Sequence, residues 1–317
     1  MGQSCPTTTV TSLDLILMLG GPLALTFAVG MGLWAASRPS GWMRSAAAIA
    51  GVTALPVGIY GMGIRYRTPP PPQQRVLSPG IEYQRLVADG PAVVHIVRIE
   101  LGRPDLIPVA TPPSEGKGVP AQRVVDFAVE HGADVAINTA FFRPFHSSSP
   151  FDYYPRTGDP TEPFGITMTD GVEFGANRFH RGTVYLSENE ASLDRMPEAR
   201  WAITGRTTLV RDGQPVPGNE KAIAPRSAIG YDGTRLWFVA VDGRQPGYSE
   251  GMTLGALGRL LAGMGVEWAV EMDGGGSSTI ADTTGPNPRP LNCPIHTRMP
   301  CRDRPVAAQV GIKRVGS

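Results

Sequence analysis

The residues best placed to do chemistry lie in one short run, Glu271-Met272-Asp273 followed by Gly274-Gly275-Gly276 and Ser277-Ser278-Thr279. Three consecutive glycines are costly to order, because each gives up more backbone freedom than any other residue. A backbone that must pass close to a bound group gives them a purpose, and its N–H groups can then cradle an oxyanion. Asp273 is expected at the tip of a strand over residues 266–272, where open sheets commonly place their chemistry. The plainer alternative is a flexible glycine loop capped by serines. A second acid, Asp242, precedes Gly243-Arg244 at the end of another apolar run, 236–241. If the two strands are parallel neighbours joined by the intervening helix, Asp242 and Asp273 converge at one sheet edge. Glu271, two residues before Asp273, shares its face of the strand and is assigned to structural pairing.

A third polar tip is Asn138, which ends a predicted strand at 133–137 and precedes Phe141 and Phe142. It is read either as a polar contact in an apolar pocket wall or as a turn cap. His95, inside the strand candidate 93–99, reads as a core or sheet-face histidine. His146 belongs to a long Pro-rich loop at 143–163 and is the histidine best placed to face a ligand.

The elements that carry these residues form an α+β (mixed α/β) domain: a strand-rich mixed sheet with a few packing helices. Asp170-Gly171, Asp212-Gly213 and Asp232-Gly233 lie between β-prone runs and predict three hairpins. Residues 106–110 predict another strand. A helix is expected from Pro120, as a first-turn proline, to Gly132. A second is expected from an N-cap at Thr253 to about Gly263, with Leu254, Leu257, Leu260, Leu261 and Met264 as its buried stripe.

Upstream of this domain, residues 15–36 and 45–64 hold no Asp, Glu, Lys, Arg or His side chain. Each is about the 20 residues needed to cross a bilayer as helix. Pro22 and Pro56 are better tolerated in lipid than in a soluble helix. The expected layout is an N-terminal tail with a two-helix transmembrane hairpin (1–67), a Pro-rich linker (68–79) and a domain over 80–317. Arg38 and Arg44 in the connecting loop favour that loop inside, while Arg65, Arg67 and Arg75 pull the other way. The chain of 317 residues has 29 basic and 28 acidic side chains, a balance that gives no footprint for nucleic acid. Cys293 and Cys301 are spaced to allow a small disulfide loop in an oxidising compartment; free thiols are the alternative.

Six segments together resemble the phosphodiester glycosidase family. They are Ala-Ile-Asn-Thr-Ala-Phe-Phe at 136–142, Pro-Arg-Ser-Ala-Ile-Gly at 225–230, Val-Asp-Gly-Arg at 241–244, Tyr-Ser-Glu-Gly-Met-Thr-Leu at 248–254, Asp-Gly-Gly-Gly-Ser-Ser at 273–278 and Arg-Pro-Val-Ala at 304–307. The resemblance runs from about residue 90 to the C-terminus, and Thr139 departs from it, standing where many relatives have glycine. It implies a mixed α/β domain that cleaves a sugar–phosphate diester or a related glycosidic bond. Export is common in the family, which favours a cell-membrane protein with its domain on the extracytoplasmic side.

A phosphodiester carries one negative charge, so forked guanidinium donors are the expected clamp. Arg226, Arg244 and Arg304 are the candidates, with amides of Gly274, Gly275 and Gly276 and the hydroxyls of Ser277 and Ser278 beside them. Asp273 is the first choice of reacting carboxylate and Asp242 the second. No cofactor is expected; a divalent metal held by the acids stays open, with no ligand spacing to identify one. The expected partners are a carbohydrate phosphodiester and, through the hairpin, membrane lipid. The alternatives are a sugar-phosphate binding protein without turnover and a membrane-anchored glycosidase acting on other bonds.

Overall fold

The computed structural model describes residues 67–316, apart from 115, 117, 176–181 and 219, together with isolated positions between 24 and 55. One compact unit comprises residues 1–68 with Pro246–Tyr248, the other residues 69–245 and 249–317. In the first, the described residues 26–31, 33–34 and 48–50 are helical. Among the described residues no helix is long and apolar enough to cross a membrane; most of the predicted spans, 15–36 and 45–64, lies outside them.

The second unit is built of strands. In chain order its main elements are β1 (Gln73–Ser78), β2 (Ile81–Ala88), β3 (Ala92–Glu100), β4 (Leu106–Ala110), α1 (Val124–Glu130) and β5 (Ala133–Asn138). There follow β6 (Thr167–Thr169), β7 (Gly182–Leu186), β8 (Trp201–Gly205), β9 (Thr208–Arg211), β10 (Arg226–Tyr231) and β11 (Arg235–Val241). The last are α2 (Leu254–Gly263), β12 (Trp268–Met272), β13 (Ile280–Asp282) and β14 (Gln309–Arg314). The largest sheet runs β1-β2-β3-β11-β10-β12-β9, with Gln214–Pro215 at its far edge. A second sheet includes β13-β5-β14-β4, and a third β6-β8-β7.

Strand alternation explains how the sheets pack. On β11, Leu236, Phe238 and Ala240 face a core shared by all three sheets, together with Ile137, Leu186, Ile203, Val270 and Val310. Trp237, Val239 and Val241 point to the opposite face, against Leu254, Leu257 and Leu261 of α2. This is the two-sided burial predicted for that strand. Thr253 caps α2 as expected, its Oγ1 accepting from the Ala256 N–H at 3.1 Å.

All three Asp-Gly hairpins form. Asp170, Gly171, Asp212 and Gly213 take positive φ, the conformation such tight turns need. Three expectations require correction. Pro120 does not open a helix; it sits in a two-residue strand opposite Pro160, and α1 begins only at Val124. Residues 73–78, placed in the linker, form an edge strand paired with β2. Finally, β11 and β12 are parallel but not neighbours, because β10 lies between them and is antiparallel to both.

Candidate active site

Asp273 emerges directly after β12, and its backbone is gripped from both sides. Its N–H donates to Thr139 O at 2.8 Å, and its carbonyl accepts from Asn138 Nδ2 at 2.6 Å. The glycine run then turns through a single 3-10 segment, Gly275–Ser277. The Ser277 hydroxyl donates back to the Asp273 carboxylate and accepts from Arg304 Nη1 at 3.1 Å. Asp273 is only partly exposed, and desolvation lifts its carboxyl to about 6, against the pull of the Ser277 hydrogen bond and the Arg304 charge; Glu271 pushes up and Arg206 pulls down more weakly.

Arg304 is 8% exposed, and burial brings it down to about 10 despite Asp273, with Arg244 adding to the fall. It remains a cation at neutral pH. Its Nε donates to His296 Nδ1 at 3.1 Å. His296 is held down to about 3, first by burial and then by Arg304 and Arg302, and is therefore neutral. With Nδ1 accepting, the proton must sit on Nε2. Cys293 and Cys301 are bridged, closing the loop that carries His296.

Guanidinium groups lie on two of the three glycines. A Cβ at Gly276 would stand 2.5 Å from Arg304 Nη2 and 3.2 Å from His296 Cα, and one at Gly275 would stand 3.2 Å from Arg244 Nη1. Arg244 is exposed, takes a positive φ of 56° and lends its charge to the same cluster. Of the three amides expected to cradle an oxyanion, that of Gly275 is already bonded to Pro225 O at 3.0 Å. Gly274 and Gly276 are the ones left to serve.

Four predicted site residues stand elsewhere. The Asp242 carboxylate is 1% exposed and is bonded to His95 Nε2 at 3.1 Å, Asn292 Nδ2 at 3.0 Å and Cys293 N–H at 2.9 Å. It ties β11 to the disulfide loop and has no opening to a substrate. His95, a buried sheet histidine as expected, is held from its other side by the Tyr83 hydroxyl at 2.8 Å; burial pushes that phenol up to about 12. Arg226 is 7% exposed, with its three guanidinium nitrogens committed to Met252 O, Glu271 and Ala222 O. It belongs to the buried pair with Glu271, the pairing role expected for that acid. Asn138 is fully buried; its Oδ1 accepts from Ser227 Oγ and Thr279 N–H while its amide holds Asp273. It positions the site from behind. Ser278 is buried as well, and its carbonyl accepts from Asn292. Its hydroxyl has no protein partner.

Sequence reasoning missed two residues. Arg206 is half exposed, bonds the Glu271 carboxylate at 3.2 Å and lies over the Phe141 ring at 4.8 Å. It is the open guanidinium where Arg226 was expected. Its place after a short β-run was the available signal, but only register distinguishes it from Arg226. His296 carried no signal, since its partner Arg304 is defined by the loop's return. His146, the favoured histidine, is exposed and bonds Asp152 at 3.2 Å. Thr139 is accommodated without positive φ, so its backbone does not need the glycine of its relatives. Among the described residues no group of three or more His, Cys, Asp or Glu side chains could hold a metal ion.

An aspartate with a raised pKa, flanked by arginines and a compressed glycine turn, makes this cluster the candidate active site. The family model for phosphodiester glycosidases matches residues 131–313, more than half of the chain. The chain belongs to the phosphodiester glycosidase family and is a phosphodiester glycosidase-like hydrolase. No curated protein matches it. Among solved structures, the catalytic domain of zebrafish N-acetylglucosamine-1-phosphodiester alpha-N-acetylglucosaminidase, auto-inhibited by its pro-peptide, is similar over 77% of this chain and 88% of that one, with 18% identity and a TM-score of 0.55. A hypothetical protein from Synechocystis is similar over 77% of this chain and 64% of that one, with 16% identity and a TM-score of 0.53. These likenesses are of fold.

Proposed function

We propose that the protein hydrolyses a sugar-1-phosphodiester between the anomeric carbon and the phosphate oxygen, with Asp273 as the reacting or charge-stabilising carboxylate. The observation that carries this is the Asp273–Ser277–Arg304 chain, which sets an acid directly beside a phosphate-type donor. Arg304 and Arg244, with the amides of Gly274 and Gly276, take the phosphate oxygens. Arg206 extends the positive rim. Asp273 faces the anomeric carbon as an anion, where it stabilises or traps an oxocarbenium-like state. The leaving phosphate is already a stable anion and needs little acid assistance, and no charged histidine is needed to supply it.

Hydrolysis in ¹⁸O-enriched water tests the bond assignment. Label in the released sugar, with a phosphomonoester left on the acceptor, is expected. Label in the phosphate would show attack at phosphorus with cleavage of a P–O bond and overturn the reading.

We also propose that the chain is anchored in the cell membrane through its N-terminal hairpin, in contact with lipid, and acts on an envelope or extracellular glycan. Two features support this. Phe27, Val29, Leu33 and Ile49 are exposed at helical positions, which suits lipid better than water. The Cys293–Cys301 bridge suits an oxidising compartment. Protease added to intact cells is expected to remove the domain; a domain that stays protected once the outer envelope is permeable would refute the orientation.

A further inference from the structure

Asp303, a carboxyl beside the site, takes no part in the proposed chemistry. It immediately precedes Arg304, on a stretch that the backbone does little to hold. The Arg302 N–H donates to Pro294 O at 3.1 Å and the Val306 N–H to Gln122 O at 2.9 Å. Between them, among the described residues, 303–305 make no backbone–backbone hydrogen bond. Side chains hold the stretch instead. Arg304 Nη1 donates to Ser277 Oγ at 3.1 Å, and Asp303 Oδ1 accepts from Thr279 Oγ1 at 2.9 Å. These are two rungs between the same pair of segments, 303–304 and 277–279. Thr279 is fixed in turn, its N–H donating to Asn138 Oδ1 at 3.1 Å, and Asn138 grips the Asp273 carbonyl. Asp303 Oδ2 is buried with no hydrogen-bond partner. An oxygen left so is costly, and an apolar side chain would fill the place without that cost. Packing alone therefore does not account for an acid here.

We propose that Asp303 is a positioning residue: its bond to Thr279 sets the register of 303–305 on the glycine turn and so keeps the Arg304 guanidinium against Ser277, beside Asp273. The inference rests on the reading of Asp273 as the reacting acid and Arg304 as a phosphate donor. The Ser277 hydroxyl and the Arg304 charge are the main influences that hold the Asp273 carboxyl down against burial; Glu271 opposes them and Arg206 assists, both more weakly. Both main influences sit on the neighbouring rung. Asp303 itself is lifted to about 6 by burial, against the Thr279 bond and the Arg123 charge, with Asp126 adding to the rise and the Val125 amide opposing it. It is mostly ionised at neutral pH and a good acceptor for the Thr279 hydroxyl. A role confined to capping α1, whose N-cap residue Arg123 makes no side-chain cap bond, would leave Arg304 where it is.

The test follows the Asp273 carboxyl directly, by ¹³C NMR of the full-length chain labelled at aspartate, with its signal identified by loss in Asp273→Asn. Asp303→Ala removes the rung from one side and Thr279→Val from the other, so the result does not hang on the folding of a single variant. Asp303→Asn keeps an acceptor for Thr279 and removes only the charge. The two rung-breaking variants are expected to titrate Asp273 at higher pH than the parent, because Arg304 is no longer held beside it. Asp303→Asn is expected to titrate Asp273 as the parent does. In Asp303→Ala and Thr279→Val kcat/KM should fall about 10- to 100-fold, the scale of a misplaced group, with its acid limb following the NMR titration upward. An Asp273 titration unchanged in both, whatever their melting temperatures, would leave Asp303 as a cap for α1 and overturn the proposal. A shift in Asp303→Asn as large as in Asp303→Ala would show that charge acts and not the bond, and would overturn it as well. If the titration moves as expected but the parent hydrolyses no sugar-1-phosphodiester, the positioning role stands and the proposed reaction falls.

Discussion

Asp273→Asn should make the protein more stable and nearly inactive at once. The exchange keeps size and hydrogen-bonding capacity and removes only the charge. The folded carboxyl titrates at about 6 instead of 3.8, chiefly because of burial. Holding it ionised therefore costs the folded state about 3 kcal/mol, at about 1.4 kcal/mol per unit of pKa. Because this pKa is raised, the penalty is absent below about pH 4, grows as pH rises to 6 and is constant above. Asn never pays it. At pH 8 the variant should melt higher by on the order of 5 °C, given about 2 °C per kcal/mol for a domain of this size. At pH 4 the two proteins should melt together. Initial rates on a sugar-1-phosphodiester should fall at least about 10²-fold, the scale of a positioned catalytic group. The parent's own kcat/KM should fall along an acid limb near pH 6, as Asp273 protonates. Equal melting at pH 8 with near-parental rates would refute both the buried charge and its role in the reaction.

Arg226→Met should behave as a core mutation. It strands Glu271 with the half-exposed Arg206 alone and removes the guanidinium donors to Met252 O and Ala222 O, for a loss of about 3 kcal/mol, read in the melting temperature; an unchanged midpoint would show that the buried pair contributes nothing. Arg244→Lys should do the reverse, lowering kcat/KM about tenfold through loss of the planar fork with melting unaltered. Parental kcat/KM at low substrate would remove Arg244 from the clamp.

What the sequence made legible was what local chemistry decides. The Asp-Gly turns, the Thr253 cap and the two-sided apolar pattern of β11 each depend on residues a few positions apart, and each appears in the structure. Asp273 and its glycine run stand out in the sequence because their composition is costly without a purpose. The place of Asp242 was not legible, although its motif looks equally catalytic. Its fate is set by Asn292 and the Cys293 amide, brought to it by a loop some fifty residues later. Arg226 and Arg206 likewise bond the same carboxylate, both reaching Glu271 Oε1, and only the packing of β8 and β10 around β12 decides which stays in contact with solvent. Residues 73–78 read as linker because an edge strand has no need of an apolar face.

The arrangement also gives the three glycines a more specific cause than closeness to a ligand. Each meets a different neighbour. A Cβ on Gly274 would press Pro225 O at 2.9 Å, one on Gly275 would reach Arg244, and one on Gly276 would strike Arg304 and the His296 backbone. Arg304 cannot simply swing aside, since Ser277 and His296 hold two of its nitrogens. A methyl group on Gly276 would therefore lift the Arg304 guanidinium away from Ser277 and Asp273. That separation would weaken the cationic field that lets a desolvated carboxylate ionise near neutral pH. Gly276, Arg304 and the titration of Asp273 are therefore linked: the turn leaves room for the Ser277 hydrogen bond and the Arg304 charge beside an acid that burial would push up further.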